Sequence, residues 1–509
     1  MHDWSRDMPV YLLGLDSGLT VTKAVVFRDD GSVVATASRK IGRIETSPRH
    51  VERDMADHWR ASAEAIREAL DAAGAKAGHA VVPAAVSVTG HGDGLYLLDS
   101  AGAPLGLAAT SLDSRAQGML QQWDQTGLSA QALTLTGQRP FASSPAPLLA
   151  YLRDNDPERF GRIAAILSCK DWLRYCLTGR IATDFTEASV AFTDVRTQRY
   201  SGEALALFGL DDIAAALPEV LMPDDIAGHV SDEAAGATGL VAGTPVAAGL
   251  HDVTACAVGS GVVDAGAIAI VAGTYSINEM LVDAPAVSPG WNARNGLRPG
   301  QWMNMSVSPA SSANLDWFVN TAARDALQGG DPFMLLQAEL DAVADDPSDI
   351  IYLPYLYGSP HSRDVPACFI GLRGWHGRGH MLRAVAEGIV FNHRHHVDLL
   401  DPDRHIDRVR LTGGSSRNPF FGQLFSDVLD RVVEIPEMQE AGAFGAAMTA
   451  GIAAEVYENW DEALQRATPE LHVYRPGKAV SALRAGYDRY RDAINTLMNR
   501  NEKTHVHEQ

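Results

Sequence analysis

The sequence is poor in cysteine and has no long apolar run. Its four cysteines, at positions 169, 176, 256 and 368, show neither CxxC pairs nor a spacing typical of metal ligands. We therefore expect reduced, mostly buried thiols in a cytoplasmic protein. Apolar runs such as GAIAIVAG fall well short of the roughly 20 residues that cross a bilayer. The start, MHDWSRDMPVYLLGLD, lacks a basic n-region, so we expect no signal peptide.

Basic residues are also scarce. Lysine and arginine number 42 against 63 acidic residues, which gives a formal net charge of −21. This charge repels phosphate backbones, so we expect no nucleic-acid partner and no binding to anionic membranes. An anionic ligand must then be held locally, by backbone N–H groups, helix N-termini and a metal ion. Neither GxxxxGK[ST] nor GxGxxG occurs at the glycine-rich turns, which argues against P-loop and Rossmann nucleotide sites.

What is present is a long globular chain with alternating strands and helices. At 509 residues and 46% hydrophobic content, two large domains are expected. The N-terminal segment predicts three consecutive strands, at 10–16, 20–28 and after a turn at 29–31, and then a helix over 54–73. The second half alternates strands and helices, which is typical of an α/β domain. Its AIAIVAG and INEML strands, joined by GTYS, echo the first hairpin and give weak evidence for two related halves.

The first glycine corner is LDSGLTVTK. Asp16 ends a strand, Ser17 and Gly18 form a turn, and Thr20 and Lys23 follow. The small turn residues permit close backbone approach by a phosphate, and Asp16 is suited to Mg²⁺ or its water shell. A plain β-hairpin turn explains the same residues.

Two further corners lie in the second half. VAGTYS places Gly273 and Thr274 at a turn between strands, although Gly-Thr turns are common. LTGGSSRNPFFGQLF joins a strand to a helix, so free N–H groups at the helix start would face a strand-end crevice. A simple connection between the strand and the helix is an equally good interpretation.

The segment GLHDVTACAVGSG sets Asp252 after an apolar strand and at the start of a helix. Aspartate is a favoured N-cap, with a contribution of about 1 kcal/mol, so a structural role is possible. The ordered set of two hairpin turns and a Gly-Gly helix start favours a functional acid instead.

Taken together, these segments resemble the FGGY carbohydrate kinases, within the actin/Hsp70/hexokinase-like ATPase superfamily. The resemblance runs in order through nearly the whole chain, and TGGSSRNPFFGQLFSDVL with EAGAFGAAMTAG is similar to the family's C-terminal signature. It implies an α/β, two-domain actin/Hsp70/hexokinase-like (ribonuclease H-like) fold with an interdomain cleft. The domains would cover 1–252 and 253–500, and we expect 501–509 to be a frayed tail.

The same resemblance implies ATP and Mg²⁺ as cofactors and the transfer of phosphate to a sugar hydroxyl, with a pentulose such as xylulose as the expected acceptor. Asp252 would be the general base and Asp16 the metal-binding residue. The residues expected to line the phosphates and adenosine are Ser17, Gly18, Thr20 and Lys23 in the first half, and Gly273, Thr274, Gly413, Gly414 and Asn418 in the second.

On the sugar side, His91 and Asp93 occupy the positions of the family's substrate contacts, and Asp252 would also touch the sugar. Asp113 and Arg115 in LDSRA are either a salt-bridged structural pair or a sugar contact, and the family comparison favours the contact. The segments GHGDGLYLLD, ERDMADHW, PASSANLDWF, LPYLYGSP and EGIVFNH are closest to L-xylulose and 3-keto-gulonate kinases.

Other polar residues invite competing interpretations. His393 and His396 in FNHRHHVD share a helix face, yet we favour a solvated helix surface over a metal site, because metal sites need a fuller ligand set. Asp184 and Glu187 in TDFTEAS either brace the cleft or are ordinary loop acids.

Several functional classes remain. The acceptor could be another polyol or sugar acid, such as glycerol, erythritol, ribulose or gluconate. A non-enzymatic actin- or Hsp70-like ATPase would lack the sugar corner and the C-terminal signature, both of which are present. A catalytically silent relative would not keep Asp16, Asp252 and both hairpins. The family suggests a homodimer.

Overall fold

The computed structural model describes residues 9–325, 332–343, 349–361, 365–438, 440–467 and 469–505. The chain divides into two compact units. Unit 1 comprises Met1–Ala265, Leu281–Asn304 and Glu440–Pro469, and unit 2 comprises Gly266–Met280, Met305–Gln439 and Glu470–Gln509. The four cysteines are free thiols. None of the described helices has the length and apolar character needed to span a bilayer.

The strands, in chain order, are β1 (Tyr11–Ser17), β2 (Val21–Arg28), β3 (Val33–Lys40), β4 (Ile44–Ser47), β5 (His50–Arg53), β6 (Ala85–Gly90), β7 (Tyr96–Leu98), β8 (Ala108–Ala109), β9 (Ala165–Leu167), β10 (Ala182–Asp184), β11 (Thr193–Asp194), β12 (Arg199–Tyr200), β13 (Glu219–Leu221), β14 (Ile226–His229), β15 (Pro245–Ala247), β16 (Leu250–His251), β17 (Ile268–Ala272), β18 (Ser276–Val282), β19 (Asn292–Asn295), β20 (Trp302–Ser308), β21 (Ile351–Leu353), β22 (Cys368–Ile370), β23 (Arg408–Thr412), β24 (Val432–Pro436) and β25 (Leu471–Tyr474).

The α-helices are α1 (Met55–Ala77), α2 (Gln117–Thr126), α3 (Leu128–Thr136), α4 (Pro145–Asn155), α5 (Pro157–Phe160), α6 (Cys169–Thr178), α7 (Phe185–Ala188), α8 (Gly202–Leu207), α9 (Asp232–Thr238), α10 (Asp252–Gly259), α11 (Ser312–Ala322), α12 (Pro332–Ala342), α13 (Arg378–Leu400), α14 (Pro419–Leu429), α15 (Ala441–Ala453), α16 (Trp460–Ala467) and α17 (Val480–His505). Short 3₁₀ helices cover Asp211–Ala216 and Gly414–Arg417.

The main sheet of unit 1 brings three distant segments to one edge. Its strand order is β14-β15-β6-β1-β2-β3, and β16 also pairs with β6. In the parallel β1–β6 pair, Ser17 lies opposite Gly90, and in the β16–β6 pair His251 lies opposite the same glycine. Because parallel strands end at the same edge, Asp16, the corner after Gly90 and Asp252 meet there.

One face of this sheet packs against α1, the helix that the sequence predicts. The other face packs against a helix that is distant in the sequence. The helix α1 begins after Asp54, whose carboxylate caps it by accepting from the backbone N–H of Asp57 at 2.9 Å. The other face receives α15, which lies more than 400 residues later in the chain. Gly14 in β1 allows this approach, because a Cβ there would collide with the carbonyl of Ala443.

The sheet of unit 2 repeats the plan. β17 and β18 form an antiparallel hairpin, β17 pairs in parallel with β23, and β23 pairs in parallel with β24. β24 then pairs with β25 in the antiparallel sense. Each unit therefore contains a hairpin whose first strand is flanked by a parallel strand, which supports the prediction of two related halves.

The three strands and the helix predicted in the first 77 residues are confirmed, while the predicted domains, 1–252 and 253–500, stay a prediction. The sequence places one boundary between 252 and 253, whereas unit 1 continues to residue 265 and takes in 281–304 and 440–469. At the C-terminus, α17 extends to His505, five residues into the segment predicted to be frayed. Residues 506–509 lie outside the described residues.

Candidate functional site

Asp252 is the first residue of α10, at the edge of the unit 1 sheet. The N-cap is His251, which makes no side-chain capping hydrogen bond. Oδ1 of Asp252 accepts from the N–H of its neighbour Val253 at 2.7 Å and lies 3.2 Å from Nδ1 of His251. Asp252 therefore does not act as the N-cap of α10, because its carboxylate accepts from neither of the N–H groups two and three residues later in the chain.

The environment of Asp252 weakens its acidity. Burial raises its pKa to about 7, and the nearby Asp16 carboxylate adds to this effect, while the Val253 N–H and Arg294 oppose it. The side chain is still 31% exposed. A carboxylate with a pKa near 7 that remains accessible has the acidity expected of a general base.

Asp16 is the next-to-last residue of β1, and its carboxylate lies near that of Asp252. Burial raises its pKa to about 6, against the attraction of Lys23 and with the repulsion of Glu440. A Cβ on Gly442 would lie 2.7 Å from Oδ2 of Asp16, so the start of α15 packs directly on this carboxylate. The described residues contain no cluster of three or more His, Cys, Asp or Glu side chains suited to a metal ion.

The other residues predicted in the first hairpin have varied environments. Gly18 lies in the turn and donates its N–H to the carbonyl of Val21 at 3.0 Å, and Thr20 is exposed beside it. Lys23 is ion-paired with Glu440 at 2.5 Å. The hydroxyl of Ser17 is buried and hydrogen-bonds to His58 at 2.7 Å, so it is not available to a phosphate. The alternation of β1 turns the Ser17 side chain toward α1, so the predicted place of Ser17 beside the phosphates concerns its backbone and stays a prediction.

The glycine corner after β6 carries His91 and Asp93. The His91 ring is buried, with Nε2 3.1 Å from the hydroxyl of Tyr96 and Nδ1 3.3 Å from the carbonyl of Gly92. Burial, with the help of Arg53, lowers the pKa of His91 to about 3, so the ring is neutral. With both ring nitrogens engaged, His91 is placed to support the corner.

Asp93 differs from its neighbour because it is incompletely satisfied. Its φ is 57°, in the left-handed region that aspartate tolerates better than most residues. Burial raises its pKa, while Arg294 and a hydrogen bond with Ser144 oppose the shift, and Oδ1 has no hydrogen-bond partner within the described residues. A buried acceptor without a donor costs about 1–3 kcal/mol, which a hydroxyl of a bound ligand would offset.

Asp113 and Arg115 form the structural pair. The guanidinium of Arg115 donates to both oxygens of Asp113, at 2.9 and 2.7 Å, and also contacts Glu52 at 2.8 Å. Asp113 additionally accepts from the N–H of Val51 at 2.8 Å. These contacts occupy both oxygens of Asp113 and the Nε and one Nη of Arg115, which argues against the sugar contact that the family comparison favours.

Sequence reasoning missed Arg294, which lies beside His251. Arg294 is buried in β19, and its Nη1 lies 2.5 Å from Nε2 and 3.2 Å from Nδ1 of His251. Its Nε has no hydrogen-bond partner in the described part of the chain. No sequence signal could have found this residue, because the segment NARNG lies in the second half of the chain and resembles none of the motifs.

A buried ionic cluster supports the floor of the site. Lys170 pairs with Asp171 at 2.6 Å and with Asp184 at 2.5 Å. Asp184 accepts from the Thr186 hydroxyl at 2.5 Å, and that oxygen accepts from the N–H of His251 at 2.9 Å. The cluster thus fixes the backbone just before Asp252, and Asp184 braces the site.

Glu187 follows on the same short helix. It is buried, burial raises its pKa well above the usual range, and Oε2 has no partner among the described residues. It lines a cavity of about 50 Å³ together with Asp93 and Asp171. Glu187 therefore lines the cavity beside Asp93, whereas Asp184 belongs to the ionic cluster with Lys170.

Unit 2 presents glycines at the corresponding strand ends. Val271 lies opposite Thr412 in the β17–β23 pair, so Gly273 and Gly413 follow at the same edge. Gly413 has a φ of 96°, and a Cβ there would lie 2.6 Å from the carbonyl of Ala272. A Cβ on Gly273 or on Gly414, in contrast, would meet no atom within 4 Å. The backbone of these two glycines is open to a ligand.

The remaining predicted residues of unit 2 take ordinary local positions. Thr274 is exposed in the hairpin turn. The carbonyl of Gly273 accepts from the N–H and hydroxyl of Ser312, at 3.0 and 2.7 Å. Asn418 caps α14, accepting from the N–H of Phe420 at 2.9 Å, and donates to Gln337 at 3.3 Å.

The histidines of α13 correct another interpretation. His393 and His396 are buried, not solvated. His393 hydrogen-bonds to Ser276 at 3.0 Å and to Asn278 at 2.9 Å, and His396 bonds to Ser306 at 2.8 Å. They attach α13 to the sheet of unit 2. Sequence alone missed this because the serine and asparagine partners lie about 90 to 117 residues away.

Comparison with known proteins identifies relatives along the whole chain. The model of the FGGY family of carbohydrate kinases matches with its N-terminal domain over residues 11–259 and with its C-terminal domain over residues 268–454. A probable L-xylulose kinase of Pasteurella multocida is 30% identical over 501 residues, covering 96% of this chain and 99% of the relative. An L-xylulose/3-keto-L-gulonate kinase of Escherichia coli is 30% identical over 495 residues, covering 96% and 98%.

A solved structure agrees with these relatives. The crystal structure of a xylulose kinase from Rhodospirillum rubrum superposes with a TM-score of 0.86 at 26% identity, covering 96% of this chain and 99% of that one. The fold predicted from the sequence is thereby confirmed, and so is the similarity to L-xylulose kinases.

Proposed function

Because this chain belongs to the FGGY family of carbohydrate kinases, we propose that it transfers the γ-phosphoryl group of ATP to a hydroxyl of a pentulose such as xylulose. The observation that carries the proposal is the Asp252 carboxylate. It stands at the start of α10, it remains 31% exposed, and burial raises its pKa to about 7. The names of the relatives at 30% identity support a pentulose as the acceptor.

In this proposal Asp252 accepts the proton of the sugar hydroxyl. The hydroxyl oxygen forms a bond to the γ-phosphorus while the bond between that phosphorus and the β,γ-bridging oxygen breaks, and ADP leaves with its electron pair. Phosphoryl transfer has a loose transition state, so positioning and charge neutralisation supply most of the catalysis. The proton transfer itself contributes roughly 10²- to 10⁴-fold.

Asp16 is the residue that fits Mg²⁺. Within the described residues its carboxylate makes no direct ion pair, and Mg²⁺ is typically held by one or two carboxylates together with phosphates and waters. When bound, the ion neutralises charge on the phosphates. Asp16 would hold it, Thr20 would offer turn backbone to the phosphates, and Gly18, which lacks a side chain, would leave room for them.

For unit 2 we propose nucleotide binding at the glycine corners. Gly273 and Gly414 leave open space where a side chain would otherwise stand, and a short 3₁₀ helix begins directly after Gly413 at the strand end. Thr274 and Asn418 belong to the same corners. A cytoplasmic location, where ATP is available and thiols stay reduced, and a homodimer complete the proposal.

The acceptor site is proposed around Asp93 and Asp252. The unpartnered Oδ1 of Asp93 calls for a donor, which a sugar hydroxyl supplies. His91 supports this corner through Tyr96, and we assign Asp113 and Arg115 a structural role only.

An ADP-release assay over pentuloses, polyols and hexonates tests the function. We expect L-xylulose or another pentulose to raise ADP formation far above the acceptor-free rate. Preference for a polyol or sugar acid would replace the pentulose while keeping the kinase. If no acceptor raised turnover over water, the kinase proposal would be wrong.

A further inference from the structure

Arg53 is a buried arginine whose hydrogen bonds, in the described part of the chain, do not involve a carboxylate. It is the last residue of β5 and is 2% exposed, and its guanidinium donates to the carbonyl of Leu19 at 2.5 Å and to the hydroxyl of Tyr96 at 3.4 Å. Its Nε has no partner among the described residues. The alternation of β5 places the neighbouring acid Glu52 on the other side of the strand, where it pairs with Arg115 at 2.8 Å. A buried charge without a counter-ion lowers stability, so an ordinary ion pair does not explain why Arg53 is buried.

The side chains around this guanidinium are neutral. Burial, together with Arg53 itself, lowers the pKa of His58 well below its usual value and that of His91 to about 3, so neither ring carries a charge. Burial raises the pKa of Cys169 to about 11, so this thiol keeps its proton. The positive charge of Arg53 therefore lies among uncharged groups, beneath the turn that follows β1.

Arg53 fixes the direction of one peptide group in that turn. The peptide between Leu19 and Thr20 is trans, and in a trans peptide the carbonyl and the N–H point in opposite directions. Because the carbonyl of Leu19 points inward to a buried guanidinium, the N–H of Thr20 points away from the interior, and Thr20 is exposed. Within the described residues, no hydrogen bond uses this N–H. The turn therefore presents a free donor on its outer side.

The guanidinium also makes this N–H a better donor. A hydrogen bond to the carbonyl of a peptide group polarises the group, and in surroundings of low dielectric such chains of hydrogen bonds strengthen one another. A phosphate oxygen that accepts from the N–H of Thr20 would complete a chain that runs through one peptide group to the charge of Arg53. Hydrogen bonds that involve a charged group are roughly twice as strong as neutral ones. An anion at this turn thus accounts for the buried positive charge.

We propose that Arg53 is a positioning residue for the phosphates of ATP: by donating to the carbonyl of Leu19 it holds the N–H of Thr20 outward, where that N–H binds a phosphate oxygen. The proposal rests on the kinase function proposed above and concerns its nucleotide. Arg53 acts through the turn and does not touch ATP, because its side chain is enclosed.

The first test changes the donor. Arg53→Met removes the guanidinium and keeps a long side chain, whereas Arg53→Lys keeps a cation that can donate to the carbonyl of Leu19. We expect Arg53→Met to raise the Kd for ATP, measured by calorimetry, about 10-fold or more, because a hydrogen bond to a charged group is lost. The KM for the pentulose should stay the same, and Arg53→Lys should recover most of the loss in ATP binding. Equal losses in both variants would overturn the proposal.

A purely structural role would appear in stability alone. Arg431→Met is the matched control, since this buried arginine also donates to a backbone carbonyl, that of Ile406 at 2.5 Å, and pairs with Asp401 at 2.7 Å. It should lower the free energy of unfolding and leave the Kd for ATP unchanged. If Arg53→Met lowered stability and also left ATP binding unchanged, Arg53 would only support the turn, contrary to the proposal.

A third readout observes the N–H directly and does not require turnover. In ¹⁵N-threonine-labelled protein, the amide signal of Thr20, assigned by its absence in Thr20→Ser, should shift when ATP and Mg²⁺ are added without acceptor. In Arg53→Met, at an ATP concentration that saturates the variant, the shift should be much smaller. A wild-type signal that does not move when ATP is bound would contradict the proposal even if the enzyme is active. A signal that moves in a protein without acceptor-dependent turnover would refute the kinase function and leave this nucleotide contact in place.

Discussion

The hairpin of unit 1 and the hairpin of unit 2 have the same strand plan and different chemistry. Each is followed in its sheet by a parallel strand, so that both present two chain segments at one edge. The unit 1 edge carries carboxylates whose pKa values burial raises, Asp16 to about 6 and Asp252 to about 7. The unit 2 edge carries glycine, threonine and serine.

This difference indicates a division of labour within one architecture. Burial removes water from a carboxylate, and this loss of hydration lowers the stability of the protein. Such buried acids are typical of sites where reactivity or metal binding requires them. Open glycines cost little in a loop and give access to backbone N–H groups. We infer that unit 1 supplies the acids that act in phosphoryl transfer and that unit 2 supplies the nucleotide contacts. The substitutions below are chosen to affect one of these two roles at a time.

The largest effect is expected at Asp252. Asp252→Asn should lower kcat roughly 10²- to 10⁴-fold, because the amide cannot accept the proton, while ATP binding persists. Asp232→Asn is the matched control, since Asp232 is also the first residue of a helix, α9. A near-normal kcat for Asp252→Asn in a steady-state assay would show that Asp252 is not the general base and has only a structural role at the start of α10.

Next in size is Asp16. Asp16→Asn should weaken the apparent Mg²⁺ affinity by about 10-fold or more, because changes to residues that only support metal ligands already cost about 10- to 100-fold. Titration of activity with Mg²⁺ at fixed ATP measures this. An unchanged Mg²⁺ midpoint would remove Asp16 from the metal site.

The nucleotide side should respond more mildly. Gly414→Ala adds a methyl group where nothing lies within 4 Å, so stability should stay the same. If the nucleotide approaches this backbone, the KM for ATP should rise about 5-fold, equivalent to about 1 kcal/mol. Gly374→Ala, at an equally open glycine of unit 2, should change neither quantity. Identical KM values for both variants would contradict nucleotide binding at this corner.

The free energy of unfolding should depend on pH because Asp252 is buried. The folded pKa of Asp252 is raised to about 7 from 3.8, so the folded state binds a proton that the unfolded state has released. Between about pH 4 and 7 the wild type therefore loses stability as the pH rises. Asp252→Asn escapes this loss and should be more stable at pH 8 by about 1–2 kcal/mol, a discounted value because the group is partly exposed. Urea unfolding of both proteins at pH 5 and pH 8, without Mg²⁺, provides the comparison, and a stability difference that does not grow with pH would be contrary to the account.

The smallest effect on activity is expected at Asp113. Asp113→Asn breaks the bidentate pair with Arg115 and should lower stability by about 1–3 kcal/mol. The KM values for acceptor and ATP should not change. A higher acceptor KM would restore the sugar contact that the family comparison favours.

The local pattern of the fold could be predicted from the sequence. The first three strands follow from apolar runs between small turns, and α1 follows from its cap at Asp54. The segments that make up each compact unit could not be predicted, because α15 packs on β1 across more than 400 residues. Such a contact depends on surface shape at Gly14 and leaves no local signal.

The site divides in the same way. Asp16 and Asp252 could be found because strand ends and glycine turns are visible in the sequence. The direction of the Ser17 hydroxyl, which hydrogen-bonds to His58, follows from the alternation of side chains along β1. The contacts of Asp113 with Arg115, and of Arg115 with Glu52, are visible only in three dimensions. Arg294 arrives from a distant strand and could only be seen in three dimensions.

The most direct test is the position of the acceptor hydroxyl in a structure of the protein with a bound pentulose and a non-hydrolysable ATP analogue. We predict that the reacting hydroxyl lies about 2.6–3.2 Å from Oδ2 of Asp252, with Oδ1 still accepting from the N–H of Val253. A sugar bound with no hydroxyl near Asp252, in a complex that turns over when ATP is supplied, would contradict the account.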